Sequence, residues 1–191
     1  MTASLYEFFY HGLTLKMVGL VIGAALLIGH VFAFLKFESV KAWLIKLPRN
    51  ETIGIGILAI AFAFTLLVWS EMDLGEFFNI ERPVQIVLIV GFFLVAHYVK
   101  EFLAVRAIGF LLILAAGPVL AACFLQPPVT RLFLVALAYA WIIKGMFWVG
   151  MPYLMRDQIA WVTADAKRWK LLTLAGAAYG AVVLVCAIAF Y

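Results

Sequence analysis

Six long apolar runs follow one another along this chain, and they restrict its fold more than any short motif does. They lie at Leu13–Leu35, Ile53–Ser70, Pro83–Val99, Val105–Phe124, Leu132–Met155 and Leu171–Tyr191. A bilayer-spanning helix needs about 20 mostly apolar residues. Inside a bilayer the backbone must satisfy its own hydrogen bonds, and the runs lack the polar alternation of barrel strands, so they predict helices. Of the 191 residues, 68% are hydrophobic and 13% are charged. A soluble domain carries about a quarter charged residues, and one small core could not hide this much apolar surface. The reading is an all-α integral membrane protein, residues 1–191 forming a single polytopic domain. A soluble enzyme, a secreted disulfide scaffold and a disordered regulator are excluded.

The basic residues fall in alternate links. Lys36, Lys41, Lys46 and Arg49 follow the first run, Lys100 and Arg106 the third, and Arg156, Lys167, Arg168 and Lys170 the fifth. Outside this set of ten stand Lys16, Arg82 and Arg131, with Lys144 inside a run. The positive-inside rule then places the ten in the cytoplasm and both termini outside, in a cytoplasmic (inner) membrane. An acidic outer loop (Glu71, Asp73, Glu76, Glu81) agrees with this. The formal charge of +4 is thereby explained by topology, and no nucleic-acid partner is expected. Residues 1–12 lack the basic region of a cleavable signal, and Leu5, Phe8, Phe9 and Tyr10 suggest a segment lying on the outer interface. Trp43, Trp69, Trp161 and Trp169 sit near the run boundaries, as interfacial tryptophans do.

A threefold internal similarity is discernible. Gly29-His30-Val31-Phe32, Ala96-His97-Tyr98-Val99 and Gly150-Met151-Pro152-Tyr153 each pair a small residue with a ligand-type side chain, then an aromatic within two positions. Each is followed by a basic residue and a glycine: Arg49 and Gly54, Arg106 and Gly109, Lys170 and Gly176. Ala42-Trp43 and Ala160-Trp161 add an amphipathic segment to the first and third units. The expectation is three parallel helical hairpins, at 13–70, 83–124 and 132–191. Gly19 with Gly23 and Gly176 with Gly180 form GxxxG pairs that let helices approach closely, and Pro118 should kink the fourth span.

Chemistry is sparse. The carboxylates lie in links or at run ends, and no nucleophile–base constellation, phosphate loop or HExxH is present, so no catalytic residue is assigned. Cys123 and Cys186 sit in apolar runs without a CxxC and read as small hydrophobes. His30 and His97, with Met151 as substitute, are candidate haem or metal ligands, and Arg49 and Arg106 could meet haem propionates. The alternative is interfacial histidines bonded to backbone carbonyl or water, with no cofactor at all. Lys144 stands 13 residues after Arg131 and 12 before Arg156. That spacing predicts a charge near mid-bilayer, facing neighbouring helices, with Tyr139, Thr65 and carbonyls loosened by Pro118 as polar company. A lysine that snorkels along its span is the alternative. The segment Phe37 to Leu47, carrying Lys41 and Lys46, together with Arg49, Lys167, Arg168 and Lys170, suits a basic surface against anionic lipid heads.

Three functions fit these residues. One is a non-catalytic subunit or assembly factor of a larger membrane complex, with other membrane subunits or self-association as partners beside the bilayer. Another is a small-solute or ion pathway centred on Lys144. The third is a haem-carrying electron-transfer protein using His30 and His97.

Overall fold

The structure is a computed structural model that describes residues 2–71 and 75–191, with residues 2–4, 77 and 78 described in backbone only. Asp73 of the acidic loop lies outside the described residues. The chain opens with α1 (Thr2–Glu7) and a π-helical turn at Phe8–Gly12. Next come α2 (Leu15–Leu35), α3 (Phe37–Lys46), α4 (Glu51–Ser70) and α5 (Glu81–Tyr98). The chain ends with α6 (Leu103–Cys123), α7 (Leu132–Gly150), α8 (Tyr153–Thr163) and α9 (Ala166–Ala189). Among the described residues there is no strand, and α2, α4, α5, α6, α7 and α9 are long and apolar enough to cross a membrane.

Caps fix where several spans begin. Thr14 Oγ1 accepts from the Met17 N–H (3.2 Å), Asn50 Oδ1 from Ile53 (2.9 Å) and Asp165 Oδ1 from Lys167 (2.9 Å). Each satisfies an otherwise orphaned amide of a first helical turn. For this reason α9 starts at Ala166, a turn ahead of the apolar run, its polar first turn being cap-driven and not hydropathy-driven. The fifth span departs from expectation at its other end. It stops at Gly150, not Met155, because Pro152 disfavours helical backbone at the residue before it, and Met151 adopts φ −129°, ψ 71°. Tyr153–Thr163 then forms a separate amphipathic helix that touches α3, so the first and third links each carry the added helix the sequence suggested.

Three seams hold the bundle: α2 along α9, α6 along α7, and α4 against α6. None of them joins the two spans of one expected hairpin. Small residues explain the choice of neighbours, since lipid supplies no hydrophobic drive and close packing must do so. A Cβ on Gly23 would meet the Leu184 backbone at 2.8 Å, and one on Gly180 the Leu27 backbone at 2.6 Å, so the two GxxxG pairs face each other across α2 and α9. Gly54 sits against the Ala104 backbone, and Gly109 against Gly145. The three glycines that follow basic residues (Gly54, Gly109, Gly176) therefore all mark helix crossings.

Leu15, Val18, Val119, Leu134, Ala138 and Val183 build the main buried cluster toward the N-terminal end of α2, and Leu47, Val105 and Met155 a smaller one at the opposite end. Cys123 and Cys186 are free thiols buried in this packing. Helix α6 runs unbroken through Pro118. Trp43 and Trp161 are exposed, but Trp169 is buried. Its indole N–H donates to the Ala33 carbonyl (3.0 Å) and pins α9 to α2.

Candidate functional site

His30 lies five residues before the end of α2. Its Nδ1 is 2.7 Å from the Leu26 carbonyl one turn back, and since a carbonyl only accepts, Nδ1 is the donor. The Nε2 and Cδ2 edge lies against Gly176 of α9, where even a Cβ would collide with it. The ligand-type edge of the ring thus packs toward the α9 backbone at the one position there that carries no side chain. His97 is exposed near the end of α5 and packs edge-on against Tyr98, with ring centroids 4.9 Å apart. Helices α2 and α5 share no packed seam. Met151 is half-buried in the bend between α7 and α8. His30 and His97 thus stand on helices that do not pack on each other, and no group of three His, Cys, Asp or Glu side chains converges among the described residues.

Lys144 departs from the expectation that it faces the bundle. Helix α7 turns Leu134, Ala138 and Gly145 inward, and Gly145 is pressed onto α6. One residue earlier on a helix lies about 100° around the axis, which carries Lys144 onto the exposed face. Thr65 bonds instead to the Ala61 carbonyl (2.9 Å), and Tyr139 is itself exposed. Because α7 ends at Gly150, Lys144 is six residues from its end, about 9 Å, and not mid-span. Its ammonium reaches toward that end, 5.7 Å from the Trp148 ring centroid one turn on. This is the geometry of a snorkelling lysine with a cation–π contact.

The same end of the bundle carries the basic residues. Lys46, Arg49, Lys167, Arg168 and Lys170 are exposed, and Lys41 is half-buried with its ammonium 5.4 Å from the Phe37 ring. Arg168 stacks over Trp161 at 4.8 Å. Within the described residues the ion pair is Arg156–Asp157 (2.8 Å), so Arg49, Lys100 and Arg106 have no carboxylate at contact distance there.

Arg106, which the sequence offers as a link cation and a candidate partner for haem propionates, is held by the fold in a way that the sequence does not suggest. It sits in the first turn of α6, and its Nη1 donates to the Val149 carbonyl (3.1 Å) at the end of α7. Its Nε is buried and has no hydrogen-bond partner. The side chain lines a groove of about 360 Å³ between α4, α5 and α6, whose other walls include Phe62, Gly91, Phe92 and Phe110. Next to it, across the link that contains Phe102 in left-handed conformation (φ 55°), a crevice of about 360 Å³ is lined by Arg49, Glu51, Lys100, Glu101 and Arg156. Hydropathy could not reveal this site, because it arises from a helix neighbour, α7, that is distant in sequence.

A larger cavity, about 570 Å³, lies toward the other end, lined by apolar side chains including Phe8, Phe9, Met17, Phe64 and Trp141. The π-helical turn forms its lip, with the Tyr10 hydroxyl against Gly117. Burial, and after it the neighbouring Tyr6 phenol, pushes the Tyr10 hydroxyl above its ordinary pKa, so it stays neutral. Such a cavity offers shape and apolar surface but no reacting group. No family model, curated protein or solved structure matches this chain.

Proposed function

We propose that the chain is a non-catalytic, multi-pass subunit or assembly factor of a larger complex in a cytoplasmic (inner) membrane, with both termini outside. One observation carries this reading. Helix α5 buries no residue within the chain, the least of the six spans, although its middle, residues 86–96, is apolar throughout apart from Gly91. Close packing between helices is what holds a membrane bundle together, so the span with least of it inside the chain has most to gain from a protein neighbour. Here α5 packs chiefly on α4 and the preceding turn, Gly75–Ile80. Its outward side, with Ile86, Val90 and Phe93, suits the surface of another membrane subunit.

A pathway centred on Lys144 draws less support, since that lysine lies outside the bundle. A haem reading is likewise weakened by the packing of His30 on Gly176. The test is a photo-cross-linker placed at Ile86 or Phe93 in native membranes, with Val185 on α9 as the comparison position. Discrete protein adducts from α5 are the expected result. Lipid adducts alone from both α5 positions would overturn the proposal.

A further inference from the structure

We propose that the groove between α4, α5 and α6 is a binding site for one anionic phospholipid, its acyl chain along α5 and its phosphate at Arg106.

The groove has the dimensions of a chain and not of a solute. Its lining runs along α5 from Val87 to Val95, at 1.5 Å per residue about 12 Å, and continues past the helix end to Val99. Gly91 leaves open space in its wall, with no atom within 4 Å of where a Cβ would stand. Among its side chains only Thr65 and Arg106 are polar. The threonine hydroxyl is already bonded to Ala61, so the arginine is the one polar group in the lining with donors to spare. An apolar gap of this kind holds no ordered water, since water needs polar partners, and in a bilayer an acyl chain is the molecule at hand to fill it.

Charge selects the headgroup. Arg106 keeps a guanidinium at the end of the groove with one protein hydrogen bond and a buried, unbonded Nε. A guanidinium favours phosphate through its planar array of donors. Beside it Arg49 and Lys100 balance Glu51 and Glu101, and Arg156 is paired with Asp157, so Arg106 is the uncompensated cation there and it favours an anion over a zwitterion. The loose seating of α5 follows as well, because the lipid would fill the space that α5 and α6 leave between them. The site uses the inner side of α5 and is independent of the outward face assigned to a partner subunit.

The test uses the full chain purified in mild detergent, with equimolar phosphatidylglycerol and phosphatidylcholine of identical acyl chains, and native mass spectrometry to count retained lipid. One phosphatidylglycerol per chain should be retained, favoured by about fivefold, because either phosphate can accept from Arg106 but only the phosphatidylglycerol headgroup keeps a net charge against that uncompensated cation. Arg106→Gln should bring the ratio near parity, whereas a merely structural Arg106 would lower stability and leave the ratio unchanged. Gly91→Leu should fill the groove and lower retention of both lipids with the cation intact. It also decides the matter if Arg106→Gln does not fold. Millimolar inorganic phosphate should leave the lipid in place. Equal retention of the two lipids, full retention in Gly91→Leu, or displacement by phosphate would each overturn the proposal.

Discussion

The imidazole of His30 on α2 and the bare backbone of Gly176 on α9 occupy one contact, with the ring held in place by its 2.7 Å bond to the Leu26 carbonyl. The pairing gives both residues a reason to be what they are. Gly176 leaves room for a ring, and the ring fills the space that a missing side chain would leave. A methyl at position 176 therefore has to displace the imidazole and break its bond. Gly176→Ala should destabilise the detergent-solubilised protein by about 1–3 kcal/mol, the usual cost of overpacking. Removing the ring should relieve the clash, so His30→Ala with Gly176→Ala should lose less stability than the sum of the two single changes. Thermal unfolding of the four proteins measures this, and strict additivity would refute the contact.

The crossing of α6 and α7 makes a sharper case. A Cβ on Gly145 would stand 2.5 Å from the Gly109 carbonyl oxygen and 2.7 Å from Ile113 Cγ1. Backbone cannot swing aside as a side chain can, so Gly145→Ala should cost more than Gly176→Ala. Gly56→Ala is the control, since nothing lies within 4 Å of its added methyl. That variant should be neutral or slightly stabilising through helix propensity. Melting temperatures ordered with Gly145→Ala lowest and Gly56→Ala at or above the parent are the expected outcome.

What the sequence made legible follows the physics that acts locally. Apolar run length alone located all six spans, because a bilayer imposes its thickness on each span separately. The helices α3 and α8 were readable from the same kind of evidence, paired as they are by Ala42-Trp43 and Ala160-Trp161. Neighbour choice was not. Nothing local says that Gly109 will meet Gly145, or that Arg106 will reach the carbonyl of Val149, 43 residues on. Nor does anything local say that the Trp169 indole will reach the Ala33 carbonyl, 136 residues away. Lys144 was misplaced by a boundary error. Counting to Arg156 made the fifth span too long, and Pro152, which ends it, shifts the lysine toward the surface.

Orientation is open to direct measurement. The basic links predict that the ends carrying α3 and α8 face the cytoplasm. Glu76 and Gln126 are exposed in the opposite links, and Lys167 is exposed in the first turn of α9. Single cysteines at these three positions avoid both the left-handed Gly75 (φ 52°) and the capping Asp165. Cys123 and Cys186 are buried and should give little background. A membrane-impermeant maleimide applied to intact cells should label Glu76→Cys and Gln126→Cys but spare Lys167→Cys until the membrane is broken. The reverse pattern would invert the topology.

Lys144 yields the last prediction, and the structure changes its sign. At mid-bilayer an unpaired lysine costs at least about 2.5–3.5 kcal/mol on insertion scales, and such a residue would be kept only for a partner or a solute. Six residues from the end of α7 its stem can carry the ammonium to the headgroup region, and Trp148 stands on that path at 5.7 Å. The cost there is small, and no function is required to explain it. Lys144→Met preserves the stem volume and removes the charge. The variant should insert to the same level, melt at the same or a higher temperature, and recover the same partners in a mild-detergent pull-down. Trp148→Leu should likewise be tolerated, apart from loss of the indole bond to Gln158 (3.3 Å). If Lys144→Met instead inserts normally but loses a co-purifying subunit, the lysine pairs with a carboxylate on that subunit, and the exposed face of α7 is a second interface beside α5.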